Sequence, residues 1–366
     1  MEDALAERLL PWYREHRRDL SFRRTKDPYA ILVSEVLLQR TRVVSGVPYF
    51  ERFMARFPTV VDLANASEEQ VLKAWEGLGF YGRARNLHRA GKAIVGDHSG
   101  QVPRTFAGLR ELPGIGDYTA GAVASIAFGE RVSAIDGNAA RVLARVFRIL
   151  GDLTRGEARK RLVGIGESLV PPSDPGAYNQ ALMELGATVC RPRTPLCTTC
   201  PLGSLCGAYR DGNPERYPQR FVRPPPPVIR VAFALVERKG KVLLVRRPSG
   251  GLLAGLWALP GGEIIGKTSA GAAIRESLKD LGVRGRVLGV SGRVDHTFSH
   301  RRWTGTVHRV RASGPTRLGG DALWAGPKEI QRLPLVPFHR RFLERGRGDD
   351  AAGTGTIRDL DMGEPF

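Results

Sequence analysis

Cysteine is scarce in this 366-residue chain: there are four, and all lie between Cys190 and Cys206. Nothing outside that segment can be cross-linked, so a disulfide-stapled secreted scaffold is excluded. Long apolar runs are missing too. None approaches the roughly 18–20 residues that a membrane-spanning helix needs, so no membrane role is expected. The opening MEDALAERLLPWYREHRR lacks a basic start, an apolar centre and a small-residue cleavage site, and does not read as a signal peptide. Its apolar residues, Leu5, Leu9, Trp12 and Tyr13, recur at helical spacing instead. A cytoplasmic location is expected. Acidic residues are in deficit: 37 Asp+Glu stand against 56 Lys+Arg, a net charge of +19. That exceeds what solubility requires and points to a polyanion partner, nucleic acid first. Hydrophobic residues make up 42% of the chain, enough for real cores, and the length allows two or three domains.

β-Branched alternation is rare before residue 228, and no internal repeat is visible. Residues 1–210 read as helix, with periodic apolar stretches broken by short Gly, Pro and Asp signals such as ELPGIGD and AIDGN. Residues 211–228 are rich in Pro and Arg; four consecutive prolines favour an extended, semi-rigid linker. Strand-like runs follow in VIRVAFALVERKGKVLLVRR and RVLGVSGRV, with a helix in SAGAAIRESLKDLG, so 229–345 reads as an α+β domain. Residues 346–366 have too little apolar content to pack and are expected to be disordered.

Three local patterns carry chemistry. In ILVSEVLLQRT, six of the first eight residues are Ile, Leu or Val, and Glu35 sits among them. A carboxylate so placed loses hydration and requires a partner, a proton or a function. On a helix, Ile31, Glu35, Leu38, Gln39 and Arg42 share one face, so Glu35 looks into a cleft while Leu32, Val33, Val36 and Leu37 pack behind it. The cysteines are spaced C-x6-C-x2-C-x5-C, at Cys190, Cys197, Cys200 and Cys206. Two thiolates three residues apart grip one centre and the outer pair closes the cage; zinc and a four-iron cluster both fit four thiolates. In LPGIGDYTAGAVAS, Gly114 and Gly116 allow a tight turn that brings bare N–H groups to the start of a helix, a helix–hairpin–helix pattern suited to holding a DNA phosphate.

With these pieces in order, residues 1–210 resemble the endonuclease III superfamily of DNA glycosylases. The resemblance implies two helical lobes, a six-helix lobe at about 22–134 and a cluster-bearing lobe from about 1–21 with 135–210. It also implies a [4Fe-4S] cluster on the four cysteines, rather than zinc. Within the superfamily, SEVLLQRT, GLGFYGRARNLH and AIDGN resemble the MutY-type adenine DNA glycosylases. The fold class that follows is multidomain: an all-α helix–hairpin–helix glycosylase core with an iron–sulfur subdomain, and a Nudix-like α+β domain. The implied substrate is double-stranded DNA carrying adenine opposite 8-oxoguanine or guanine, bound by a monomer at the bacterial nucleoid.

Roles are carried over position by position. Glu35 is the expected general acid, since an apolar setting keeps a carboxylic acid protonated near neutrality. Asp136 in AIDGN is the expected carboxylate beside the developing sugar cation; on spacing alone it is an ordinary helix cap. Asn138 orients the site, and Tyr118 lies near both carboxylates. Tyr118 cannot form the Schiff base that an amine forms, which implies a monofunctional glycosylase. Arg23 or Arg24 approaches the site, although the family's LPW is Leu20-Ser21-Phe22 here. Gln39, Thr41 and Leu78 are expected on the lesion side, with Arg40 where the family has Gln. Phe80 and Tyr81 are candidate wedges, and Arg83 and Arg85 candidate phosphate contacts; a solvated basic helix face is the plainer reading of both arginines.

The carboxy-terminal half resembles the Nudix-like domain that MutY proteins use to read 8-oxoguanine. In LPGGEIIGKTSAGAAIRESLKDLGV, aligned from Gly261, Arg275 and Glu276 keep the box, but Lys267, Lys279 and Asp280 stand at metal-ligand positions. Lysines there repel a divalent cation, so the box is expected to have lost hydrolysis. Phe298, Ser299 and His300 match the family's motif for 8-oxoguanine. The alternatives are a Nudix-type hydrolase of oxidised nucleotides and a non-catalytic DNA-damage binder.

Overall fold

A computed structural model describes residues 2–219, 224–313, 318, 321–345 and 356–357. The described residues divide into two compact units: 2–66 with 82–219, and 67–81 with 224–313, 318, 321–345 and 356–357. Among the described residues no helix is long and apolar enough to cross a membrane.

The helices of the first unit, in chain order and with α5 of the second unit between them, are α1 Glu2–His16, α2 Pro28–Leu38, α3 Val43–Arg56, α4 Val60–Asn65, α5 Glu68–Ala74, α6 Gly82–Asp97, α7 Phe106–Glu111, α8 Asp117–Phe128, α9 Gly137–Val146, α10 Gly156–Ser168, α11 Pro175–Thr188 and α12 Gly207–Arg210. α2 starts where Asp27 accepts from the backbone N–H groups of Tyr29 and Ala30 and Pro28 takes the first turn. Every residue from Tyr29 to Leu37 is buried. A helix apolar on all sides belongs inside a lobe, and α2 packs against α3, α6 and α8. α8 ends on Gly129, left-handed at φ 71°, and crosses its neighbours closely: a Cβ on Gly121 would stand 2.2 Å from the Ser133 carbonyl oxygen. A second core draws α1 back onto α9–α12, with Leu5, Leu9, Tyr13, Leu143, Tyr178 and Leu182 buried together. This return brings residues from both ends of the unit to one site.

The second unit is built on β1 Val228–Arg238, β2 Lys241–Arg246, β3 Trp257–Ala258, β4 Gly261–Glu263, β5 Arg284–Thr297, β6 Arg302–Ser313, β7 Ala322–Ala325 and β8 Thr356–Ile357, with α13 Ala270–Lys279, α14 Pro327–Arg332 and α15 Pro337–Arg345. The strand order is β3-β2-β1-β6-β5-β8, with β4 also on β1 and β7 on β2. β1 and β6 run parallel, β5 and β6 antiparallel. Ile274 and Leu278 of α13 pack on Ala232, Ala234, Val236 and Val310. Phe233, Trp303, Phe338 and His339 form a separate aromatic group.

One expectation about organisation changes. The linker expected from residue 211 is packed as far as Tyr217, which is 5% exposed in the α1/α9–α12 core and whose carbonyl accepts from Arg145 Nε at 3.0 Å. Local composition does not show this, because the partner lies 72 residues away. Ser67–Tyr81 groups with the second unit, where Glu76 accepts from Arg340 and from Lys73. The tail expected to be disordered lies outside the described residues, apart from Thr356–Ile357 paired parallel to β5.

Candidate active site

Glu35 stands in the last turn of α2, three residues before Leu38, and is 8% exposed. The Tyr118 hydroxyl, at the start of α8, donates a short hydrogen bond to its Oε2. Burial raises the Glu35 pKa to about 7; the Asp136 charge pushes the same way, while the Tyr118 hydrogen bond and Arg23 pull it down. Tyr118 is itself raised well above 10, by burial first and then by the charges of Glu35 and Asp136, so it remains a protonated donor. Met183 Sδ lies 3.6 Å from its oxygen.

Asp136 caps α9. Its Oδ1 accepts from Ala139 N at 2.7 Å and its Oδ2 from Asn138 Nδ2 at 2.9 Å. Burial still leaves its pKa raised, against those hydrogen bonds and the Arg141 charge. Asn138 is held in turn: its Oδ1 accepts from Arg141 NH2 at 2.9 Å. The structure therefore brings Glu35, Tyr118, Asp136 and Asn138 to one site, from α2, α8 and the start of α9.

Arg23, not Arg24, approaches it. Arg23 donates to Glu184 Oε2 at 2.7 Å, whereas Arg24 turns to the exposed Asp19. Glu184 on α11 also takes a forked pair from Arg18, at 2.7 and 2.8 Å, and its side chain is fully buried. Burial would raise its pKa, but the hydrogen bonds from Arg18 and Arg23 reverse this and hold it at about 2. Sequence reasoning missed Glu184 and Arg18. They are 166 residues apart, and neither sits in a motif.

The hairpin takes its expected form. Gly114 has φ +75°, and a Cβ there would meet the Asn86 side chain at 2.3 Å. Gly116 caps α8, and a Cβ there would meet nothing within 4 Å, so the N-terminal face is open. Arg110 fastens the turn through the Ile115 carbonyl at 2.8 Å and Asp117 at 2.7 Å.

Several lesion-side assignments change. Arg83 does not face solvent as a phosphate contact: its NH1 donates to the carbonyls of Val36, Leu37 and Gln39 at the end of α2. Gln39 Nε2 donates to Thr119 Oγ1 at 2.9 Å, which orients its amide toward α8. Arg40 is exposed in a left-handed turn, φ 58°, and Thr41 is half-buried beside it. Arg85 is half-buried. Within the second unit, Tyr81 is no wedge: it is 5% exposed and its hydroxyl accepts from Gly77 N at 3.2 Å. Leu78 is buried, while Phe80 is half-exposed at φ 45°.

The four cysteines are unpaired thiols. Arg145, 2% exposed, donates to Cys190 Sγ at 3.2 Å and to the Arg191 and Pro192 carbonyls at 2.7 and 3.1 Å. Burial pushes Cys200 up to about 12, with the charges of Cys190, Cys206 and Cys197 adding to the rise. Thiols close enough to raise one another, with a guanidinium on one sulfur, suit a ligand that takes thiolates and returns positive charge. Among the described residues no group of three or more His, Cys, Asp or Glu is drawn tightly enough for a single metal ion.

In the second unit, Ser299 and His300 are exposed between β5 and β6. Phe298 packs its ring edge-on against His296 and Trp303, at 4.2 and 5.1 Å between centroids, and so supports the turn. Gly261, at φ +124°, has no room for a Cβ, which would stand 2.2 Å from the Ala232 carbonyl oxygen. The box thus keeps its fold-forming glycine.

Residues 33–167 match the family described as HhH-GPD superfamily base excision DNA repair protein, and residues 231–345 match the NUDIX domain. Adenine DNA glycosylase of Homo sapiens is 37% identical over 367 residues, covering 84% of this chain and 67% of that protein. Adenine DNA glycosylase of Schizosaccharomyces pombe is 33% identical over 393 residues, covering 90% of this chain and 84% of that protein. The chain belongs to the adenine DNA glycosylase family. It is a DNA glycosylase by that membership, with a helical core and a Nudix-like sheet domain. The core is also similar to the solved structure of a thermostable thymine-DNA glycosylase, 31% identical, TM-score 0.53, covering 57% of this chain and 97% of that one. Arg40 and Phe80 both occupy left-handed backbone, which ordinary side chains adopt at a cost.

Proposed function

We propose that the chain hydrolyses the N-glycosidic bond of adenine paired with 8-oxoguanine or guanine in double-stranded DNA, as a monofunctional glycosylase acting as a monomer. The observation that carries this is Glu35, buried, at a pKa of about 7, under the Tyr118 hydroxyl and near the Asp136 charge. Adenine leaves poorly as an anion. A carboxylic acid that still holds its proton near neutrality delivers it to N7, and the resulting carboxylate then activates water. As the bond breaks the sugar becomes cationic. Asp136, kept in place by Ala139 N and Asn138, lowers that barrier as a fixed negative charge. Tyr118 orients Glu35.

The hairpin at Gly114 and Gly116 offers N–H groups and a helix N-terminus to a phosphate of the duplex. Ser299 and His300 are placed on an exposed turn suited to the oxidised purine, whose N7–H is a donor where guanine has an acceptor. Cys190, Cys197, Cys200 and Cys206 would hold a [4Fe-4S] cluster. When bound it supplies iron–thiolate bonds that close the 190–206 segment. Arg145 then balances charge at Cys190, and Arg141 links the same segment, through the Cys190 carbonyl at 2.8 Å, to Asn138.

The test is incubation with an A:8-oxoguanine duplex beside A:G and A:C. Free adenine and alkali-labile strands are expected from the wild type and not from Glu35→Gln. A wild-type protein that binds the duplex but releases no adenine overturns the proposal in favour of a damage binder.

A further inference from the structure

The end of α2 is fastened from two sides. A helix leaves its last carbonyls without partners. In α2 they meet Arg83 at the start of α6, whose NH1 donates to Val36 O at 3.1 Å, to Leu37 O at 2.8 Å and to Gln39 O, with Thr41 Oγ1 at 3.5 Å. A guanidinium suits this place twice: its long side chain brings one terminal nitrogen, NH1, to three carbonyls at once, and its charge complements the negative end of the helix dipole. Burial, helped by the Arg40 charge, lowers the Arg83 pKa to about 10, so it is still a cation at neutral pH. From the other side Gln39 is tied to Thr119, the residue after Tyr118. Between these two fastenings Arg40 is held at φ 58°. A non-glycine residue persists there only when its surroundings over-determine it. The fastened turn begins one helical turn beyond Glu35, and it carries the lesion-side positions Gln39, Arg40 and Thr41.

Resting on the functional reading above, we propose that Arg83 is a positioning residue for proton delivery: it locks the last turn of α2 so that Gln39–Thr41 and Glu35 move as one body. Seating that turn in the duplex and presenting Glu35 to the extruded base are then a single event. A plain capping role would instead affect stability alone.

Arg83→Lys and Thr119→Val in the full chain separate the two. Lysine keeps the charge but ends one atom short of the NH1 position; valine keeps the shape and removes one acceptor. Three measurements are made: amide hydrogen exchange over residues 33–44 without DNA, the single-turnover rate of adenine release across the neutral pH range, and thermal stability. For Arg83→Lys, amides 37–41 are expected to exchange faster, and the rate to fall about 10- to 100-fold, the scale of a misplaced catalytic group. The alkaline limb is expected to move to lower pH, because water reaching Glu35 favours its carboxylate. Thr119→Val is expected to shift all three in the same direction by less. Combined, the two changes cost less than the product of their separate effects, since they loosen one turn. Wild-type exchange, rate constant and pH limb, with only a lower melting temperature, overturn the proposal. If Arg83→Lys does not fold, Thr119→Val decides by the same readouts. Should the wild type release no adenine, the functional reading fails, and the exchange measurement still decides whether Arg83 locks the turn.

Discussion

Two surroundings in the helical unit take the same raw material, a buried glutamate, in opposite directions. Around Glu184, Arg18 and Arg23 supply two cations and three side-chain hydrogen bonds, and the carboxylate is held ionised at about 2. Around Glu35 there is a neutral donor, Tyr118, and a like charge, Asp136, and the carboxyl is held at about 7. Burial pushes both upward; the partner decides the outcome. The two are linked through Arg23, which is bonded to Glu184 and also pulls Glu35 down. By engaging Arg23, Glu184 limits its hold on Glu35 and leaves the second carboxyl free to keep a proton. The two buried carboxylates are thus two halves of one electrostatic arrangement.

The largest expected effect follows from removing the titrating half. Glu35→Gln should lower single-turnover adenine release by about 10²- to 10⁴-fold, the usual range for a positioned acid, with duplex binding retained. Near-wild-type turnover would remove Glu35 from the chemistry and leave the contrast with Glu184 without a functional side.

Breaking the paired half is expected to act on stability first. Glu184→Gln leaves Arg18 and Arg23 without their buried counter-charge, which costs about 3–5 kcal/mol when one partner of such a pair is removed. Urea unfolding at neutral pH measures it. Because the folded pKa lies below the ordinary glutamate value, this stabilisation is present above that value and is lost as pH falls through about 2. The gap between wild type and variant should therefore close in acid. Released Arg23 should also move the alkaline limb of adenine release to lower pH.

The opposite sign holds for Glu35. Its folded pKa is raised, so its contribution is fully present below the unfolded value and is lost as pH rises through about 7. Going from the ordinary value to about 7 corresponds to about 3 kcal/mol at most. Glu35→Gln is therefore expected to gain stability relative to wild type at alkaline pH, and to show no such gain in mild acid. Equal urea midpoints for the two proteins at alkaline pH would show that Glu35 is not desolvated.

Legibility in the sequence followed the range of the interaction. The burial of Glu35 was readable because the run of Ile, Leu and Val around it is local, and the cysteine group was readable because all four lie between residues 190 and 206. Asp136 was ambiguous: Asp-Gly-Asn before a helix is also a cap, and it is a cap, accepting from Ala139 N. The Glu184 pair, the Arg83 fastening and the burial of Tyr217 were not readable, because each joins segments tens to more than a hundred residues apart. Tyr81 was misread for a related reason. An aromatic in a glycine-rich loop offers its ring to DNA or to the interior equally well, and its hydroxyl found Gly77 N.

The smallest effect tests the neutral donor itself. Tyr118 hydrogen-bonds Glu35 and in doing so favours the carboxylate, against the larger effect of burial. Tyr118→Phe keeps the ring and removes the donor. Glu35 should then hold its proton to higher pH, and the alkaline limb of adenine release should move upward, while the rate on the acid side falls by about tenfold or less through lost orientation. Stability, and not the direction of the shift, separates this partner from the arginines of Glu184: losing the neutral donor leaves no charge without a partner, whereas Glu184→Gln leaves Arg18 and Arg23 without their counter-charge. Melting temperature should therefore change little in Tyr118→Phe and much in Glu184→Gln. A limb that moves to lower pH in Tyr118→Phe would mean that Tyr118 shields Glu35 from water more than it bonds it, and the carboxyl would owe its proton to packing against the tyrosine ring.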